Sequence, residues 1–67
     1  MDIKEILTKL IGKTVRIIIR DKKNNIVLDY RFSNFPKGFV DVFSNYEYFN
    51  GFISCLTHTF IIELKEK

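Results

Sequence analysis

At 67 residues, 46% hydrophobic and 28% charged, the chain has the composition of one small globular domain near the lower size limit for an unstapled core. Its one cysteine, Cys55, excludes an intramolecular disulfide. With His58 the only histidine, a Cys/His zinc site is excluded as well. The net charge of +3 is mild and uneven, since residues 1–23 carry +4 and residues 24–67 carry −1. An acidic or nucleic-acid partner would therefore meet the first third, although a solvated surface explains the same charges.

No apolar run approaches the ~18 residues of a membrane span, and no secretory leader pattern opens the chain. A soluble cytoplasmic protein is expected, with Cys55 a small buried apolar residue in a reducing compartment. Lys, Ile, Asn and Phe are frequent while Ala and Gln are absent, a bias that points to A/T-rich coding and not to chemistry.

Taken in chain order, Asp2 caps a helix over about 2–11, with Glu5 three residues on in a capping box. Ile3, Ile6, Leu7 and Leu10 form its apolar stripe, and Gly12 ends it in a left-handed conformation. A helix this short needs a sheet to dock on. Two β-branched runs, about 14–20 and 25–34, flank the polar Asp21 to Asn24 and read as a hairpin. A four-residue loop places Arg16 opposite Asp29, whereas a two-residue loop sets Arg16 against Arg31, a like-charge pair. The first register is preferred. It gathers Val15, Ile17, Ile19, Ile26, Leu28 and Tyr30 on the core face.

Phe35-Pro36-Lys37-Gly38 reads as a turn into a third strand at about 39–44, with Val40 and Val42 inward. Asn50-Gly51 is a strong two-residue hairpin signal between 46–49 and 52–55. The alternation loses phase near Ser54 to Thr57, where a bulge or short 3₁₀ turn is expected. The last strand spans about 59–64 with Phe60, Ile62 and Leu64 inward.

The expected fold is α+β: a short N-terminal helix on a strongly bent antiparallel sheet of four or five strands. Closure into a small SH3-like or Sm-like barrel would remove its exposed edges. The segment Leu10-Ile11-Gly12-Lys13-Thr14-Val15-Arg16-Ile17-Ile18-Ile19-Arg20-Asp21 resembles the opening of Sm-like proteins, which implies a short helix leading into a small barrel. No glycine follows Asp21, and Asn50-Gly51 stands where that family usually carries Arg-Gly. Its uridine-binding residues have no counterpart to carry over.

Catalytic constellations are not expected. Cys55 and His58 lie three residues apart on an irregular segment, whereas thiol–imidazole pairs are normally joined by the fold. Asp29, Asp41, Glu47 and Glu63 fall on separate strands, and Gly12, Gly38 and Gly51 fall at turns, with no phosphate-binding loop and no cofactor implied. Phe35, Phe39 and Phe43 share the outward face with Arg31, and Arg16 and Arg20 lie on that side of the first strand. Either the helix covers this face or it awaits a partner. The candidate interaction surface is thus Arg16, Arg20, Lys22, Lys23, Arg31, Phe35, Phe39 and Phe43. Two functions fit. One is a non-enzymatic protein–protein module, self-associating or modulating a larger protein, favoured by a large apolar share in a chain with little interior. The other is nucleic-acid binding through basic side chains beside stacking aromatics.

Overall fold

The computed structural model describes residues 2–67. Asp2 caps the first helix, α1 (Ile3–Lys9), its carboxylate accepting the Lys4 N–H at 3.2 Å. Leu7 and Leu10 are buried by the sheet, and Gly12 leaves the helix at φ +84°. The Gly12 N–H donates to the Phe35 carbonyl at 2.9 Å, and the Phe35 N–H returns to the Lys13 carbonyl at 2.9 Å. This reciprocal pair joins the start of the chain to its middle and fixes where Phe35 enters the core.

The first hairpin pairs β1 (Val15–Arg20) with β2 (Ile26–Phe32). Its turn is built by Asp21, whose carboxylate accepts N–H bonds from Lys23 and Asn25 at 2.9 and 2.8 Å. Asn24 takes a positive φ of 70°, which asparagine tolerates better than most residues. The expected register is corrected. Five residues, not four, separate Arg20 from its partner Ile26, and a bulge between Ile19 and Arg20 slips the pairing once more. Arg16 therefore sits opposite Arg31, and Ile18 opposite Asp29. Two single slips restore the face, so Leu28 and Tyr30 remain on the side of Ile17 and Ile19.

The third expected strand is instead a helix, α2 (Gly38–Phe43). The Phe39 and Val40 N–H groups bond to the Pro36 and Lys37 carbonyls, turning the chain before a strand can begin. Val40 and Phe43, three apart, are buried, whereas Val42 is half exposed. The Asn50-Gly51 turn is also corrected, because both residues lie inside one continuous strand, β3 (Glu47–Ser54). The actual hairpin turn is 55–58, with His58 at φ 52° and Cys55 exposed, not buried as expected. It leads into β4 (Thr59–Lys65), which runs parallel to β1.

The sheet order is β2-β1-β4-β3, so the sheet is mixed where an antiparallel one was expected. It is an open α+β sheet with β2 and β3 as edges, not a closed barrel. Both helices cover one face, packing Leu7, Leu10, Val40 and Phe43 onto Val15, Ile17, Ile19, Ile62 and Leu64 around Phe35. Among the described residues no helix is long and apolar enough to cross a membrane.

Candidate functional site

The side chains singled out from the sequence do not form one surface. Arg16 and Arg20 alternate with the buried Val15, Ile17 and Ile19 and so lie on the sheet face that carries no helix. Arg31, opposite Arg16, lies there too. Lys22 and Lys23 occupy the exposed tip of the first turn. Phe35 and Phe43 are buried on the helix side, and Phe39 beside them is 39% exposed. The common aromatic and basic face is thus corrected: α2, by being a helix, carries its phenylalanines to the opposite side of the sheet from the arginines.

On the open face two of the three arginines, Arg16 and Arg20, are already engaged. Asp29, Ile18 and Glu63 form a row across β2, β1 and β4. Arg16 donates from Nε and Nη2 to both Asp29 oxygens at 2.8 and 2.6 Å, and Arg20 Nη2 lies 3.6 Å from Glu63. These diagonal pairs flank Ile18, only 8% exposed although no helix lies over it. The hydrogen bonds from Arg16 hold the Asp29 carboxyl below the usual carboxylate range, against a smaller opposing effect of desolvation. The same pairing raises the Arg16 guanidinium above its ordinary value. Arg31 has no ion-pair partner among the described residues.

The surface that the sequence reading missed is β2 itself. Ile26, Leu28 and Tyr30, expected in the core, are exposed, as is Val27. β2 is an edge strand, and the helices do not reach it fully. On its helix side Leu28, Tyr30 and Phe32 meet Phe39 and Phe43 in an apolar shelf of about 300 Å3. Phe32 anchors the shelf, with ring centroids 4.7 Å from Tyr30 and 5.2 Å from Phe39. No signal in the sequence marks this surface, since Ile26-Val27-Leu28 is a continuous apolar run just like Ile17-Ile18-Ile19, which is buried.

Backbone polarity along this edge follows from the other pairings. Phe60 and Glu66 donate N–H bonds to the Thr14 and Arg20 carbonyls, so even-numbered β1 residues face β4 and odd-numbered ones face β2. Leu28, Tyr30 and Phe32 therefore bond inward, and Asp29 and Arg31 direct N–H and C=O outward. The other edge is less regular, since β3 carries a bulge between Tyr48 and Asn50. A second apolar groove, about 480 Å3, separates α1 from β3 along Ile6, Leu10, Tyr48, Ile53 and Phe60. Lys13 partly covers it, its Nζ 5.9 Å from the centroid of the Phe60 ring. Comparison with known protein families, with curated proteins and with solved structures finds no match to this chain.

Proposed function

We propose that the chain is a non-enzymatic protein–protein interaction module that engages its partner by strand addition at β2. The observation that carries this reading is an edge strand whose Ile26, Val27 and Tyr30 are each more than half exposed. Such an edge offers a row of N–H and C=O groups beside apolar side chains, the arrangement that takes up an extended segment. No lysine or proline lies within β2 to blunt it. The apolar shelf beside Phe39 and Phe43 supplies pockets for alternate side chains of the added strand.

Arg31→Pro tests the reading, because it deletes an outward N–H while leaving the bonds to β1 intact. Peptides selected from a random displayed library are expected to bind the protein and to lose binding to Arg31→Pro. A labelled single-stranded oligonucleotide, titrated in parallel, is expected not to bind. Selected peptides indifferent to Arg31→Pro would contradict strand addition. Oligonucleotide binding that weakens with salt and is lost in Lys22→Ala/Lys23→Ala would favour nucleic acid instead.

A further inference from the structure

We infer that the partner at this edge is a second copy of the chain, paired β2 to β2 in one antiparallel register centred on Tyr30. This rests on the strand-addition reading and specifies its occupant. A two-fold axis perpendicular to the sheet joins two β2 edges into an eight-stranded sheet with all four helices on one side. In that symmetry a central residue meets itself, and each neighbour meets the residue equally far on the other side.

Charge selects the centre. With Tyr30 on the axis, Asp29 faces Arg31 of the second copy, and Arg31 faces its Asp29, two opposite-charge pairs on the open face. Centring on Asp29 sets two carboxylates against each other, and centring on Arg31 sets two guanidiniums together. Centring on Leu28 leaves Asp29 facing Val27 and Arg31 facing Asn25. Only the Tyr30 register gives Arg31 a carboxylate, which it lacks within the chain. Asp29, already held by Arg16 within its own chain, is then shared between that Arg16 and Arg31 of the second copy.

Backbone and apolar chemistry agree with that choice. Asp29 and Arg31, the residues with outward N–H and C=O groups, become the hydrogen-bonded pairs. Tyr30 meets its counterpart in the closer, non-hydrogen-bonded type of pair. Leu28 then faces Phe32 of the second copy, which brings the two aromatic shelves side by side. The shelf that is open to water in one chain becomes the interior of the joint.

Sedimentation at about 100 μM should give twice the 8.0 kDa chain mass. Arg31→Asp places like charges opposite at two symmetric positions and should weaken association about tenfold. The Asp29→Arg/Arg31→Asp exchange should recover it. Tyr30→Cys in a Cys55→Ser background should form a disulfide between copies, because non-hydrogen-bonded pairs bring Cβ atoms within reach. A monomer at that concentration, an Arg31→Asp variant that associates unchanged, or a dimer without the Tyr30→Cys cross-link would overturn self-pairing. None of these results touches the peptide arm: selected peptides that still depend on the Arg31 N–H would leave strand addition standing with a different partner.

Discussion

Arg16 binds Asp29 with both oxygens of the carboxylate, although Asp29 lies across the strand from Ile18 and not from Arg16. The guanidinium turns diagonally away from Arg31, its direct neighbour, and takes the nearest acid instead. One contact thus resolves a like-charge opposition that the turn and bulge impose on the hairpin.

That contact has an acid-side signature. Because Asp29 holds its proton less tightly in the folded chain than in the unfolded one, its contribution to stability is present above the unfolded carboxylate pKa of about 3.9. It is lost as pH falls through the lower folded value. Urea unfolding between about pH 2 and 6 should therefore show a slope that flattens in Asp29→Asn. Both side chains are over one-third exposed, so added salt should also shrink the effect. An unchanged acid slope in Asp29→Asn would contradict the pairing.

Phe35 and Phe39 should separate sharply in stability. Phe35 is fully buried against Phe32 and Phe43, and truncation to alanine should cost about 3–5 kcal/mol. A chain of this length holds only about 3–10 kcal/mol in total, so Phe35→Ala should be largely unfolded near room temperature. Phe39→Ala removes a partly exposed ring and should cost less than about 2 kcal/mol. Equal losses measured by chemical denaturation would argue against the α2 packing.

Gly51 is set by space and not by a turn. A Cβ there would lie 2.6 Å from the Tyr48 hydroxyl and 3.2 Å from Ile62 Cδ1. The hydroxyl ends a 41% exposed side chain that can swing aside, so Gly51→Ala should destabilise by no more than about 1 kcal/mol, at the low end of overpacking. Removing the hydroxyl with Tyr48→Phe should recover much of that loss, and a double-mutant cycle reads the coupling. Additive effects would mean that the ring does not cross Gly51.

The elements legible in the sequence were those with a single dominant period. Helix α1 showed in the spacing of Ile3, Ile6, Leu7 and Leu10, and its exit at Gly12 has the left-handed backbone that glycine favours. Strand β4 showed in Phe60, Ile62 and Leu64. Helix α2 was not legible because Phe39 to Phe43 is too short to separate alternation from helical spacing, and its valines and phenylalanines favour strands. Asn50-Gly51 misled because the pair has turn chemistry, yet its glycine serves a close approach by Tyr48 from the same strand. Most of the candidate surface was illegible for a related reason. Whether Leu28 and Tyr30 are core or edge depends on β4 pairing parallel to β1, a long-range choice that leaves β2 outermost.

Amide hydrogen exchange at single-residue resolution tests pairing between copies at β2 most directly. The N–H groups of Asp29 and Arg31 point outward from the edge and should exchange fast in dilute protein. As concentration rises from about 1 to 100 μM, pairing of β2 with a second copy should slow both together. The outward amides Gly51 and Ile53 on β3 should stay unchanged. Asp29 and Arg31 amides that exchange equally fast at both concentrations, or slowing confined to β3, would contradict pairing between copies at β2.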